Sequence, residues 1–351
     1  MKSNIYFDNN ASTPLEPAVK EAILEELSYG VSNPSSPHKE GQAARGRLNR
    51  YRKTVADYLQ VRPQDVIFVS SGTEAMNQLI FSACQKKPKK ILSSDREHSC
   101  VYNALKKRPE TVCFDGDIPN DVDLIVLMAA NNESGVMQNL EALGKVASAK
   151  GIPFIVDGVA LLGKEKFVWP EGVSAFGFSG HKIHAPAGVG VIAVKPPFKL
   201  SPQIIGGAQE YGSRGGTENM SGIAGFAKAI ELIPSDPAPY LRQLRDRFET
   251  KLKAALPNIQ INGSHLPRVS NTSNILFKDI DGEGFLMRLD QKGLSASLGS
   301  ACTSGALEPS RVLLSMGLSY KEAKSSLRFS LSRMNTPDEV DKAVALIKAI
   351  L

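Results

Sequence analysis

The sequence predicts an α/β protein whose central sheet is mostly parallel and flanked by helices. Five short apolar runs recur along the first part of the chain: DVIFVS, KKILSS, DLIVLMAA, PFIVDG and GVGVIAV. Between the third and fourth runs, LEALGKVASAKG has the pattern of a helix that ends at Gly151. The order strand, helix, strand is typical of a parallel sheet, because the helix carries the chain back to the edge where the next strand starts.

A proline-rich break, PSDPAPY at residues 234–240, indicates that a second, smaller domain begins near residue 235. A long amphipathic helix pattern follows it. The chain finishes with TPDEVDKAVALIKAIL, where Thr336 can cap a helix, Pro337 takes the first position and Glu339 completes a capping box. One apolar face of this helix is expected to carry Val340, Val344 and Ile347.

Composition argues against several classes of protein. The 351 residues carry a modest net charge of +6, which does not favour nucleic-acid binding. No apolar stretch has the length of a signal peptide or a membrane span. The four cysteines show neither CxxC nor Cys/His spacing, so neither structural zinc nor a disulfide framework is suggested. We therefore expect a cytoplasmic protein that binds neither nucleic acid nor membranes.

Residues able to do chemistry follow the apolar runs. Ser70 to Glu74 come after the first run, His98 after the second, Asn131 and Asn132 after the third, and Asp157 ends the fourth. Ligands of parallel sheets bind beyond the carboxyl ends of the strands. The sequence therefore predicts that these residues converge on one site.

Lys182 and Asp157 together indicate a particular cofactor. Lys182 lies in FSGHKIHAPAGVG, a turn of small residues that follows an apolar segment. A lysine that forms a Schiff base and a carboxylate that keeps a pyridinium nitrogen protonated are the two requirements of pyridoxal phosphate chemistry. Taken singly, Lys182 also fits a surface charge and Asp157 a strand-end or helix-cap carboxylate.

The stretch SSGTEAMN at residues 70–77 offers a place for a phosphate group. It is a turn of small residues that leads from a strand into a helical pattern, where backbone N–H groups are available. The alternative is an ordinary helix start capped by Ser71 or Thr73.

Cys302 lies within GSACTSG, which contains no charge, no aromatic ring and no large side chain. A cysteine kept for packing normally occupies an apolar run, whereas this composition predicts a solvent-reaching loop in which a thiolate can act as a nucleophile. A turn cysteine without a role is the alternative.

Ten motifs occur in the order and near the spacing of cysteine desulfurases of the IscS and NifS type: YFDNNASTPL, NPSSPHKEG, SSGTEAMN, EHSCV, NNESGV, VDGVALLGK, FSGHK, GGAQEYGSRGGTEN, GSACTSGALEPS and LRFSLS. The chain resembles that family from residue 6 to about residue 350. The resemblance implies a fold-type I pyridoxal phosphate-dependent transferase, with a large domain at 12–237. The smaller α+β domain, at 1–11 and 238–351, would carry the catalytic-cysteine loop.

By this resemblance, pyridoxal 5'-phosphate is the expected cofactor. Lys182 is similar to the Schiff-base lysine, Asp157 to the partner of the pyridinium nitrogen, His98 to the imidazole stacked on the ring, and Asn132 to the residue beside the phenolic oxygen. The residues that resemble the phosphate cradle are Gly72, Thr73, Ser179 and His181.

The same resemblance implies a substrate and partners. Arg328 matches the arginine that binds the carboxylate of L-cysteine, with Asn132 nearby, and Cys302 matches the cysteine that takes the sulfur as a persulfide while alanine leaves. A base such as His98 would assist the thiol. Thr217 matches a threonine that reaches the phosphate of a neighbouring subunit, which implies a homodimer. An iron-sulfur scaffold or a thiocarrier would accept the sulfur.

The sequence departs from the family pattern at several positions. Ala160 replaces a glutamine that hydrogen-bonds the cofactor's phenolic oxygen, a loss of about 0.5 to 1.5 kcal/mol if nothing replaces it. Tyr211 replaces an arginine, Leu298 a serine and Ser71 a glycine. The C-terminal extension with which IscS-type enzymes dock their scaffold is also absent from this sequence. We expect desulfurase activity at a reduced rate or with an unusual acceptor.

Two alternatives remain open. The first is another enzyme of the superfamily, such as a selenocysteine lyase or a class V aminotransferase, neither of which requires the loop cysteine. The second is a catalytically weakened paralogue that serves as a sulfur-relay or assembly partner. Ala160 favours the second, whereas the joint presence of Lys182, Asp157, His98, Arg328 and Cys302 favours the desulfurase.

Overall fold

The computed structural model describes residues 4–31, 33–114, 116, 118–299 and 308–351. Its helices α1 to α11 are Pro17–Ser28, Lys39–Leu59, Gly72–Cys84, Ser99–Leu105, Leu140–Lys150, Met220–Glu231, Ala238–Ala255, Gly282–Gln291, Arg311–Ser315, Tyr320–Lys324 and Pro337–Ile350. Its strands β1 to β13 are Ile5–Tyr6, Val66–Val69, Ile91–Ser93, Thr111–Cys113, Leu124–Met128, Phe154–Asp157, Ala175–Ser179, Gly190–Val194, Ile259–Ile261, Thr272–Phe277, Leu294–Ser295, Ser297–Leu298 and Ser326–Ser330. Short 3-10 turns occur at Pro63–Asp65, Gly180–Lys182 and Glu210–Gly212.

Seven strands of the described chain form one sheet, in the order β2-β8-β7-β6-β5-β3-β4. Six of them run parallel to one another, and β8 runs antiparallel to both of its neighbours. The prediction of a mostly parallel sheet is confirmed. All five apolar runs are strands of this sheet (β2, β3, β5, β6 and β8), and β4 and β7 are additional to them.

Helices cover both faces of this sheet, which explains why its central strands are apolar throughout. On one face α2, α5 and α6 pack through side chains such as Val55, Ala147 and Phe226. On the other face α3 and α4 pack through side chains such as Leu79 and Val101. The carboxyl edge of the sheet therefore lies between two helical layers, where a ligand can be enclosed.

The C-terminal part of the described chain has a core of its own. Strands β12, β13, β10 and β9 form an antiparallel sheet, and β1 pairs in parallel with β11. Side chains from α7, α8, α11 and the first strand meet in one apolar cluster, in which the ring of Phe7 lies edge-on to that of Phe248. The boundaries at residues 12, 237 and 238 stay a prediction.

Two helix ends agree with the sequence signals. Gly151 ends α5 with a left-handed conformation, φ +64°, which glycine adopts at little steric cost. Thr336 caps α11 and exchanges hydrogen bonds with Glu339, so the capping box is confirmed. The apolar face of α11 carries the predicted buried residues Val340, Val344 and Ile347.

Across the described ranges no helix has both the length and the hydropathy to cross a membrane.

Candidate functional site

The predicted chemical residues gather at the carboxyl edge of the seven-stranded sheet. His98 follows β3, Asn132 follows β5, Asp157 ends β6 and Lys182 ends the turn after β7. Because β5, β6 and β7 are adjacent and parallel, the residues that follow them share one edge. The predicted convergence is therefore present in the structure.

Asp157 is buried, with 5% of its surface exposed, and its Oδ1 accepts a hydrogen bond from the Val159 N–H at 3.0 Å. Burial raises the pKa of this carboxyl, and the charges of His98 and Lys182 act in the opposite direction. A carboxylate in such a position calls for a cationic partner. A protonated pyridine nitrogen would be one.

Lys182 ends the 3-10 turn Gly180–Lys182, which directly follows β7. Its Nζ donates hydrogen bonds to two carbonyl oxygens of the N-terminal segment, that of Asn10 at 2.5 Å and that of Ala11 at 2.7 Å. The backbone oxygen of Lys182 accepts a hydrogen bond from Lys164 Nζ at 2.6 Å. Both the side chain and the backbone of Lys182 are thus held in place.

His98 caps the amino terminus of α4. Its Nδ1 accepts a hydrogen bond from the Cys100 N–H at 3.2 Å, and the Cys100 Sγ lies 3.0 Å from the same nitrogen. When the imidazole is neutral and Nδ1 accepts, the proton is on Nε2. His98 therefore presents an N–H at the end of the ring that points away from α4.

The turn before α3 is shaped for close approach. A Cβ on Gly72 would lie 2.8 Å from Val159 Cγ2 and 3.2 Å from Ser179 Cβ, so a larger residue would force those neighbours apart. Ser71 caps α3, with its Oγ accepting from the Glu74 N–H at 3.1 Å. The first backbone N–H groups of a helix have no partner within it, so those at Gly72 and Thr73 can receive an anion.

His181 lies in the 3-10 turn that follows Ser179, with its Nδ1 3.3 Å from Ser12 Oγ. Burial, followed by the charges of Lys182 and Lys164, lowers the pKa of His181 to about 4. The ring is therefore neutral at neutral pH and acts as a hydrogen-bonding group without adding charge.

Thr217 lies in the segment after β8 and is exposed. This segment is tied to α3 at two points: Arg214 Nε donates to Glu74 Oε1 at 3.0 Å, and Gln78 Nε2 donates to the Ser213 oxygen at 2.6 Å. The contact of Thr217 with a neighbouring subunit stays a prediction.

Arg328 lies in β13 and is 1% exposed. Its Nη2 donates to Asp8 Oδ1 at 2.7 Å and its Nη1 to the Asn132 oxygen at 3.0 Å. Its Nε is buried and has no hydrogen-bond partner among the described residues. The structure thus brings Arg328 to Asn132 and fixes the guanidinium through Asp8, and these two bonds use two of its five N–H donors.

Cys302 lies outside the described residues. The described residues on both sides of it border the site, because β12 pairs with β13 in the register Ser297 to Arg328, and the Ser310 hydroxyl donates to Glu133 Oε2. Glu133 directly follows Asn132 in the chain.

Sequence reasoning did not assign roles to Asp8, Asn10 or Lys164. Asp8 and Asn10 belong to YFDNNASTPL and Lys164 ends VDGVALLGK, so each was inside a motif, but only the fold shows their contacts with Arg328 and Lys182. A lysine that follows apolar residues and a glycine was the one local signal for Lys164.

In the described part of the chain, no group of His, Cys, Asp and Glu side chains is arranged to hold a metal ion.

This fold and site define a class of protein. A mostly parallel sheet, flanked by helices and followed by a smaller antiparallel sheet, is the architecture of class-V aminotransferases, and that family matches residues 5–343. The chain belongs to the class-V aminotransferase family.

Within this family, several individual proteins are similar to the chain in sequence or in structure. The chain is 38% identical to a cysteine desulfurase of Trichormus azollae, over 99% of this chain and 93% of the relative. A solved NifS-like protein superposes with a TM-score of 0.90 at 28% identity and 99% coverage of both chains. The structure of SspA in complex with cysteine gives a TM-score of 0.80 at 28% identity, covering 94% of this chain and 99% of SspA.

Proposed function

We propose that this chain is a pyridoxal phosphate-dependent cysteine desulfurase that converts L-cysteine to L-alanine and transfers the sulfur to its own Cys302. The observation that carries the proposal is the placement of a buried carboxylate, Asp157, and a lysine, Lys182, after adjacent strands at one sheet edge. Pyridoxal phosphate chemistry requires these two groups. The relatives named cysteine desulfurase and the structural neighbour with bound cysteine indicate the substrate.

The residues of the site fit this cofactor. Asp157 would hold the pyridine nitrogen, Lys182 would hold the cofactor through its amine, and His98 would lie against the ring, beside Asn132. The close contact that a Cβ on Gly72 would make supports a cradle for the phosphate, to which Thr73, Ser179 and His181 would contribute. When bound, pyridoxal phosphate withdraws electron density from the substrate's α-carbon and weakens the bonds around it.

The protein residues would bind the substrate and move its protons. Arg328 would bind the carboxylate through N–H donors that its bonds to Asp8 and Asn132 do not use, and its pairing with Asp8 fixes the guanidinium beforehand. The amine of Lys182 would remove the α-proton and later return one. With His98 against the ring, its Nε2–H would be available as a donor to the substrate.

The sulfur transfer balances in atoms and electrons. L-cysteine and the Cys302 thiol give L-alanine and a Cys302 persulfide, as the carbon–sulfur bond of the substrate breaks and a sulfur–sulfur bond forms. The Cys302 sulfur is oxidised and the substrate's β-carbon is reduced. A thiolate is the reactive form, and an ordinary cysteine, with a pKa of about 8.5, is only a few per cent thiolate at neutral pH. A base would raise that fraction, and His98 could be that base only in the tautomer whose Nε2 carries no proton.

The product persulfide would pass its sulfur to an acceptor protein, an iron-sulfur scaffold or a thiocarrier, for iron-sulfur clusters or thiolated cofactors and tRNA. We further propose that the enzyme is a cytoplasmic homodimer in which Thr217 contacts the phosphate bound by the other copy. The exposed position of Thr217 is compatible with that contact.

One observation favours a second candidate, a weakened paralogue that relays sulfur. Ala160 lies in the turn after Asp157 and offers only a methyl group beside the proposed ring. Replacing it with glutamine would test the cost of that change.

The decisive experiment measures alanine and sulfide released from L-cysteine in the presence of a thiol reductant. We expect equimolar products from the wild type and none from Cys302→Ala, while the cofactor's absorbance persists. Cys113→Ala is the matched control, because Cys113 is an exposed cysteine on β4, and it should behave as the wild type does. A wild type that holds cofactor but releases no product would favour the weakened paralogue.

A further inference from the structure

Cys100 is a half-buried cysteine two residues beyond His98, in the first turn of α4. Its Sγ lies 3.0 Å from His98 Nδ1, and its backbone N–H donates to the same nitrogen at 3.2 Å. Nothing in the proposed mechanism uses the Cys100 thiol. Two groups of one residue therefore meet a single nitrogen of the imidazole that would lie against the cofactor.

The backbone contact decides the protonation of that nitrogen. An amide N–H can only donate, so Nδ1 accepts and carries no proton. The thiol of Cys100 meets the same lone pair, to which it can donate as long as it keeps its hydrogen. Burial raises the pKa of this thiol, which favours the protonated, donating form at neutral pH. The Nδ1 lone pair is thus shared by two donors of Cys100.

The carboxyl groups around His98 act in the opposite sense. Besides Cys100, the titratable groups that interact electrostatically with His98 come from the turn after β3, the segment after β5, the end of β6 and the turn after β7: Glu97, Glu133, Asp157 and His181. An ionised carboxylate attracts a proton to the imidazole. Donation to Nδ1 opposes that attraction, because a nitrogen that binds a proton can no longer accept a hydrogen bond.

Resting on the proposed function, we propose that Cys100 is a positioning residue whose thiol, together with its backbone N–H, keeps His98 neutral with the proton on Nε2. His98 then serves the reaction as a hydrogen-bond donor at Nε2. In this form its Nε2 cannot take the proton of the sulfur-accepting thiol. Lys182 is the group that moves the α-proton, so the lysine and the histidine have separate tasks.

Two variants separate donation by the thiol from simple packing. Cys100→Ala removes the thiol and keeps the backbone N–H, whereas Cys100→Ser keeps a side-chain donor. Cys84→Ala is the matched control, because Cys84 at the end of α3 is also half-buried and packs against the same apolar cluster as Cys100. If Cys100 served only for packing, the polar serine would disturb the site at least as much as alanine does.

The experiment observes the His98 ring by ¹⁵N NMR of the full-length, cofactor-loaded protein, labelled at its five histidines. The signals of His98 are those that disappear in His98→Gln. In a neutral ring the protonated and unprotonated nitrogens have different shifts, so the spectrum reports the tautomer, and a titration from pH 5 to pH 9 reports the midpoint at which the ring becomes charged. Alanine release by the same wild-type sample tests the proposed function separately.

We expect the wild-type ring to carry its proton on Nε2. Loss of one hydrogen bond that only the neutral ring accepts should raise the midpoint by about 0.5 to 1 pH unit in Cys100→Ala. Cys100→Ser should recover at least about half of that shift, since its hydroxyl can also donate. Cys84→Ala should match the wild type.

Three outcomes would overturn the inference. A wild-type ring with its proton on Nδ1 would contradict the hydrogen bonds assigned to Cys100. Equal midpoints in the wild type and Cys100→Ala would show that the thiol does not act on the ring. A shift in Cys100→Ala that Cys100→Ser does not reduce would assign the effect to packing. By contrast, the expected ring signals in a wild type that holds cofactor but releases no alanine would overturn the proposed function and support the placement of the proton by Cys100.

Discussion

Burial, more than any ion pair, sets the protonation of the side chains around Lys182. It raises the pKa of Asp157 and lowers that of His181, so each is pushed towards its neutral form. In the protein without a ligand, the Asp157 carboxylate is buried and burial disfavours its charge. The negative charge of Asp157 becomes favourable only when a cation is placed against it.

We predict that Asp157→Asn stabilises the protein without cofactor and weakens cofactor binding. The folded-state pKa of Asp157 lies above the unfolded value of about 3.9, so folding loses stability as the pH rises through that window. Asparagine has no such charge, and its oxygen can still accept from the Val159 N–H. The thermal midpoint at pH 7 should rise by about 2 to 4 °C, while the affinity for pyridoxal phosphate falls at least about tenfold.

Calorimetry of the cofactor-free protein at pH 4.5 and pH 7 would measure the first effect, and absorbance titration the second. Asp121→Asn is the control, since Asp121 is exposed and paired with Lys90, and it should change stability by less than about 1 kcal/mol. A lower thermal midpoint for Asp157→Asn at pH 7 would refute the argument from burial.

At the scale of elements, a buried ion pair attaches the segment that carries Thr217 to the sheet. Arg52 of α2 donates two hydrogen bonds of 2.7 Å to Glu210, whose carboxylate also accepts from the Phe68 N–H of β2 at 2.8 Å. Tyr211 places its ring 5.1 Å from the Arg52 guanidinium. The hydrogen bonds of Glu210 thereby hold together α2, the edge strand β2 and the segment that carries Thr217.

We predict that Glu210→Ala lowers the free energy of unfolding by about 3 to 5 kcal/mol, because it leaves the Arg52 charge buried without a carboxylate to compensate it. The double variant Arg52→Met with Glu210→Leu should lose much less. Urea unfolding measures both. Asp57→Asn breaks the exposed pair with Lys53 in the same helix and should cost less than about 0.5 kcal/mol. Equal losses of unfolding free energy from Glu210→Ala and Asp57→Asn would contradict a stabilising role for the buried ion pair.

Which elements the sequence predicts depends on how local their signals are. The five apolar runs and the caps at Gly151 and Thr336 were predictable because each is encoded within a few residues. Strand β7 was harder, since AFGFS is short and contains a glycine, and β4 is a partly exposed edge strand.

The site could be predicted in part, for residues whose position follows from the strand they come after. Their convergence was predictable because strand order places their segments at one edge. The pairing of Arg328 with Asp8 was not, because it joins residues 320 positions apart. The contact between Lys164 and Lys182 likewise depends on how two turns pack.

At the scale of the whole molecule, the N-terminal segment joins the two sheets. Phe7 is fully buried in the C-terminal apolar cluster, and the residues just after it reach the site. Asp8 accepts from Arg328, and the carbonyls of Asn10 and Ala11 accept from Lys182. Packing of one ring therefore determines where these polar groups lie.

We predict that Phe7→Ala lowers the free energy of unfolding by about 3 to 5 kcal/mol and raises KM for L-cysteine about tenfold, because Arg328 loses its fixed partner. Phe277→Ala is the matched control: Phe277 is buried in the same cluster against Phe285, at a ring distance of 4.9 Å. It should cost similar stability and leave KM unchanged. Steady-state kinetics and denaturant unfolding measure both, and equal KM values for the two variants would contradict the prediction.

The pairing of β1 with β11 also constrains the order of events during synthesis. Ile5 pairs with Leu294 and Tyr6 with Ser295, so β1 is without its partner strand until residue 295 has left the ribosome. By then every strand of the seven-stranded sheet has been made. The segment around β1, with its apolar Ile5 and Phe7, stays unpaired throughout that interval, when such segments are prone to aggregate. The carbonyl groups of Asn10 and Ala11, which follow β1, therefore reach the amine of Lys182 only late in folding.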